Sequence, residues 1–178
     1  MPIRWLVYLG LALLPIAPLW SQARERDPLN EKEVDQLREA AMEPEKRLKL
    51  MVDFTRARMT SLEQLRTDPK VGKDRGQKMH DLLEDIADLV DEIDDNVDDY
   101  NERSADLRKP LKDIIQMESD FQGKLRELTK AQDPKNADAS DYTFALQDAT
   151  DSVNKSAESS RKLLDEQNVK FQNAKKKK

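Results

Sequence analysis

From Met79 to Leu128 apolar side chains recur at alternating spacings of three and four residues. The ladder runs Met79, Leu83, Ile86, Val90, Ile93, Val97, Tyr100, Ser104, Leu107, Leu111, Ile114, Glu118, Phe121, Leu125 and Leu128, and only Ser104 and Glu118 interrupt it. Such a pattern belongs to a helix packed against other helices along its whole length. It predicts one long helix over about 76–132, kinked at Pro110, where the ring removes the hydrogen bond to the carbonyl of Asp106. As a straight seam the ladder would measure roughly 75 Å, the length of a rod.

Two further helical stripes flank this spine. Val34, Leu37, Ala41, Leu48, Met51, Thr55, Met59, Leu62 and Leu65 share one face of a helix over about 30–67. Asn30 followed by Glu33 reads as its capping box, and Pro44 is expected to kink it or split off a short first piece. Turn-forming residues from Asp68 to Gly76 close that helix. After Asp133-Pro134-Lys135-Asn136, a third helix over about 140–174, capped by Ser140 or Asp138, carries Leu146, Ala149, Val153, Ala157, Ser160, Leu164, Gln167 and Phe171. Its face is thinner and richer in small and polar residues. The fold class is therefore all-α: an elongated antiparallel helical bundle, or coiled coil, of three long helices.

Charge sets the orientation. The first helix is acidic early (Glu31, Glu33, Asp35, Glu39, Glu43) and basic later (Lys46, Arg47, Lys49, Arg56, Arg58). The spine mirrors it. Asp81, Glu84, Asp85, Asp88, Asp91, Glu92, Asp94, Asp95, Asp98 and Asp99 run without an intervening Lys or Arg, and Arg103, Arg108, Lys109 and Lys112 follow. An antiparallel hairpin that pairs position i with 143−i sets opposite charges against each other. The third helix, returning with i near 272−i, would bring Lys175, Lys176, Lys177 and Lys178 beside Asp94–Asp99. Leu82, Leu89 and Ile115 would then stay partly open, and self-association would cover them.

Composition narrows the choice of function. The chain has 178 residues, 38% of them charged, with 4 Gly and no Cys. Thiol nucleophiles, zinc–thiolate sites, disulfides and thiol lipidation are thereby excluded. Met1 to Ala23 has the form of a secretory leader: Arg4, an apolar stretch from Trp5 to Leu19, and Ser21-Gln22-Ala23 as a small-x-small cleavage site. The stretch falls short of the roughly 20 residues a membrane span needs, and Pro15 and Pro18 interrupt it. The expected organisation is a leader over 1–23 cleaved after Ala23, a short polar lead over 24–29, the bundle over 30–174 and a basic tail over 175–178. Loss of Arg4 with the leader shifts the formal net charge from −5 to −6. That balance disfavours nucleic acid as a partner. A membrane would be met only through an uncut leader. Export without disulfides fits a bacterial periplasm or the extracellular side.

The residues with chemical potential each have a plain reading beside the functional one. The ten carboxylates over 81–99 make a surface for cations or cationic partners, or simply a charged face neutralised by the first helix and the lysine tail. The tail itself would meet anionic polymers, or that same face. Asp94-x-Asn96-x-Asp98 is not a calcium loop, because Asp99 stands where Gly is needed and Ala105 where the bidentate Glu belongs. His80 is the only histidine, and no Glu-x-x-His pair supports a di-iron bundle. Gly72 to Gly76 lacks the spacing of a phosphate loop. No catalytic set, cofactor or metal site is expected. Glu118 and Ser104, inside the ladder, are either register-setting polar positions or places where water reaches the seam. The sequence predicts a non-enzymatic structural or protein-interaction module of the bacterial envelope. The competing expectation is a periplasmic binder of cations through the acidic run.

Overall fold

A computed structural model describes residues 26–68, 70, 72, 74–132 and 137–176. Among them are five helices and no strand: α1 (Glu31–Glu39), α2 (Pro44–Thr67), α3 (Arg75–Glu102), α4 (Arg108–Ala131) and α5 (Ala137–Lys176). The expected leader, its cleavage site and the side chains of Lys175–Lys178 lie outside the described residues.

The first predicted helix is two. Asn30 caps α1 through the expected box: its Oδ1 accepts from the Glu33 amide at 3.1 Å, and Glu33 Oε2 accepts from the Asn30 amide at 3.0 Å. Pro44 splits rather than kinks the chain. It stands first in α2, where a missing N–H costs nothing and its fixed φ already suits a helix.

The long spine is also two helices, and this overturns the continuous kinked rod. Pro110 occupies the first turn of α4, so the break falls upstream, at residues 103–107. Ser104 takes a left-handed φ of 62°. Its amide bonds the Asn101 carbonyl at 2.9 Å, and the Ala105 amide bonds the Tyr100 carbonyl at 3.0 Å. These two bonds form a Schellman C-cap with serine where glycine is usual. The ladder survives because each half presents its own stripe to a common interior. Every ladder residue except Ser104 is buried.

Four helices surround that interior. α2 lies against α3 and α4, and α5 lies against the same two. α3 and α4 therefore face each other across the core, joined by the 103–107 turn on the diagonal. The α2–α3 hairpin pairs i with 143−i, as the charge pattern predicts: Arg47 Nε donates to Asn96 Oδ1 at 2.9 Å, and Arg58 approaches Asp85 at 3.9 Å. α4 runs parallel to α2, with Lys124 on Glu63 at 2.8 Å.

α5 is antiparallel to α4, as Gln122 on Asn154 and Glu118 on Ser156 show, but parallel to α3, with Asn101 on Gln167. The expected 272−i pairing along the whole spine fails for a simple reason. Once the spine folds back, one helix cannot be antiparallel to both halves. Asp94 consequently meets Ser156 of α5. α5 already contains Asp138 and Ser140, so neither is its cap.

The fourth layer of helix also closes surfaces expected to stay open. Leu89 is fully buried, while Leu82 and Ile115 are half-buried. Phe121, Leu48, Met51, Met59, Leu83, Ile86, Ile93, Leu111 and Ile114 fill the middle with less than 2% exposure. α1 packs on the outside of α2. No described helix is long and apolar enough to cross a membrane.

Candidate functional site

Three polar layers interrupt the apolar core, and each arises where a polar residue falls on an inward stripe. The first lies at mid-bundle. The ladder phase of α4 points Glu118 inward, fully buried. α5 answers with Ser156 and Ser160, one turn apart on its inner face. Ser156 Oγ lies 2.6 Å from Glu118 Oε1 and 2.6 Å from Asp94 Oδ1 of α3, and Ser160 Oγ lies 3.0 Å from Glu118 Oε1. Glu118 Oε2 has no hydrogen-bond partner among the described residues. Burial pushes the Glu118 carboxyl above its ordinary range, and the two serine hydroxyls only partly offset this. Burial also raises Asp94, against the Ser156 hydrogen bond and with help from Asp91 and Asp98.

The second layer ties α1, α2 and α3 together. Arg58 forks onto Glu33, with Nη1 to Oε1 at 2.6 Å and Nη2 to Oε2 at 2.5 Å, and also donates to the Pro28 carbonyl. Asp85, itself buried, takes Arg26 at 2.7 Å. The Arg58 hydrogen bonds hold Glu33 below the usual carboxylate range. Burial pushes Asp85 up to about 6, beyond what Arg26 and Arg58 pull back.

The third layer is neutral. Gln167, 1% exposed, accepts from the Leu107 amide at 3.1 Å and donates to Asn101 Oδ1 and the Ala105 carbonyl. It latches α5 to the turn between α3 and α4. Arg108 stacks over Phe171 beyond it, 4.8 Å from the ring centroid.

The acidic run does not converge. Asp85 and Asp94 point inward to the layers just described. Asp81 accepts from Gln77 at 2.8 Å, Glu84 from His80 at 3.0 Å and Asp99 from Arg103 at 2.8 Å, while Glu92 sits 3.7 Å from Arg47. Asp88, Asp91, Asp95 and Asp98 lie on the exposed face. One helix fans these ten carboxylates around its axis, and no set of three or more His, Asp or Glu among the described residues is placed to hold a metal ion. His80 is half-buried.

Comparison with protein-family models, with curated proteins and with solved structures finds no match. What the molecule can do therefore rests on its own surfaces.

One surface was not singled out in the sequence. Where α3 and α5 run side by side, a furrow of about 490 Å³ is lined by His80, Glu84, Phe144, Gln147, Asp148 and Asp151. Phe144 is 83% exposed at its edge. The available signal was its position. It falls off the Leu146–Ala149–Val153 stripe, on the solvent side of α5, where a phenyl ring has no intramolecular use.

Proposed function

We propose that this chain is a non-enzymatic helical interaction module that works after export, in a bacterial periplasm or outside the cell. The observation that carries this reading is an exposed phenyl ring set in an acidic furrow on a bundle whose interior is already filled. Large exposed aromatics with carboxylates around them suit a protein segment bearing Lys or Arg, which can stack on the ring and pair with Glu84, Asp148 and Asp151. Closure of the Leu89 stripe within one chain favours a different protein over a second copy. The leader-like Met1–Ala23 supports export.

Isothermal calorimetry with a lysine- and arginine-rich peptide tests this reading. Saturable binding at low salt is expected, weakened about tenfold by Phe144→Ala and lost at high ionic strength. Absence of any saturable heat rejects it. Equal binding of calcium or a polyamine, unaffected by Phe144→Ala, would instead favour the second reading, a cation binder using the acidic run. N-terminal sequencing of the protein recovered after export is expected to begin at Arg24.

A further inference from the structure

We propose that Asp94 and Glu118 hold at least one proton between them at neutral pH, and that this proton, shared through Ser156, pins α5 to both α3 and α4.

The count of hydrogens compels it. Ser156 Oγ stands 2.6 Å from one oxygen of each carboxyl group. A hydroxyl carries one hydrogen and can donate to only one of them. The second contact, at the same distance, needs a hydrogen from a carboxylic acid donating to Ser156 Oγ. Two bare carboxylates here would set lone pairs against lone pairs at Ser156 Oγ, with Glu118 sealed from water and Asp94 at the edge of an open groove. The proton belongs to the pair rather than to one member.

Among the described residues no cation bonds either carboxyl group. On α3, Asp91 and Asp98 add negative potential beside Asp94. On α5, Lys155 and Lys162 line the groove beside Asp94 but pair with neither acid, and Arg161 donates to Ser119. On α4, Asp120 and Lys124 engage each other at 3.3 Å. From α2, Arg47 is committed to Asn96 and Glu92, and Arg56 donates to the Asp113 carbonyl. Neutralisation by a proton is what remains.

The sign of the linkage follows. Both carboxyl groups are raised in the folded chain, so the folded state keeps a proton that the unfolded chain releases near pH 4. The stabilisation is complete below that pH and declines as pH rises, until the folded pair has lost its proton. Across this window the unfolding equilibrium constant grows about tenfold per pH unit for one proton. Above it, the second charge loosens α5 from its two neighbours.

Infrared spectroscopy of the purified protein at pH 7.5 tests the proposal, since Asp85 is then largely ionised. The expected result is a protonated-carboxyl C=O band that disappears when both carboxyl groups are removed, in Asp94→Asn/Glu118→Gln. Absence of the band in the unsubstituted protein overturns the proposal. So does a band that persists in the double variant, which would place the proton elsewhere. If the double variant does not fold, a band unchanged in position and intensity in both Asp94→Asn and Glu118→Gln overturns it. Urea titrations from pH 7 upward, above the titration of Asp85, provide the second readout. The tenfold-per-unit decline is expected in the unsubstituted protein and is reduced in either variant, and an identical slope in all three rejects the idea.

Discussion

Two buried acidic layers in one small bundle solve the same problem in opposite ways. Around Arg58, two carboxylates from α1 and α3 are answered by guanidinium groups. Around Ser156, two carboxylates from α3 and α4 are answered only by hydroxyls. The first layer lies at the edge, where Arg26 can reach in from the N-terminal lead while keeping its own side chain half exposed. The second lies where α3, α4 and α5 meet. A lysine or arginine stem would have to displace core side chains there, and two serines fit the volume. Position in the bundle thus decides whether an acid is balanced by a base or by a proton. For Glu33 the consequence for pH is also opposed, whereas Asp85, pushed up to about 6 by burial, contributes stability that is lost as pH rises, like the second pair. Glu33, held low by Arg58, contributes stability that is lost as pH falls through its depressed value. Asp94 and Glu118 contribute stability that is lost as pH rises.

The largest expected effect comes from removing the base. Arg58→Ala leaves Glu33 and Asp85 buried beside each other's helices with only Arg26 in reach, and should cost about 3 kcal/mol in urea denaturation at pH 7. The loss should shrink in acid as the stranded carboxylates take up protons. A loss under about 1 kcal/mol would mean that this layer, too, is balanced chiefly by protons, and would erase the contrast. Next comes the neutral latch. Gln167→Ala leaves the buried Leu107 amide without an acceptor and should cost about 2 kcal/mol, equally at pH 5 and pH 8. Faster amide hydrogen exchange should be confined to residues around 103–108 and the end of α5. A pH-dependent loss would show that the latch is coupled to the Ser156 layer. The smallest effect is a gain. Ser104→Gly relieves the left-handed φ and should stabilise by about 0.5–1 kcal/mol with an unchanged pH profile, because it touches neither acidic layer.

Much of the fold was legible because it follows from local pattern. The Asn30–Glu33 box, the burial of the ladder and the 143−i register were each set by residues acting over one turn or along one stripe. The turn at 103–107 was not legible. Its usual marker is a glycine at the left-handed position, and Ser104 stands there instead. Pro110 reads as a kink within a continuous helix. The breaking force was real, but it acted six residues earlier, letting the proline settle into the first turn of α4.

From that one misplacement came the wrong partner for Asp94 and the rod in place of the four-helix bundle. The thin, small-residue face of α5 looked like weak packing. It is the complement of Glu118, and seeing this needs the neighbour across the core. Ser104 and Glu118, the two interruptions of the ladder, turn out to mark the chain reversal and the buried acid respectively. Both are sites of structure rather than gaps in it.

The diagonal turn at 103–107 also bears on how the molecule is put together. It divides the chain into two helical hairpins, α2–α3 and α4–α5, each closed by a short connection and each able to form from near neighbours in sequence. The hairpins then join along two parallel seams, α2 with α4 and α3 with α5, whose partners are some sixty residues apart. Glu118 and Ser156 belong to one hairpin, and Asp94 belongs to the other. Their proton is therefore captured only when the two halves dock, which makes assembly of the bundle and uptake of that proton a single event.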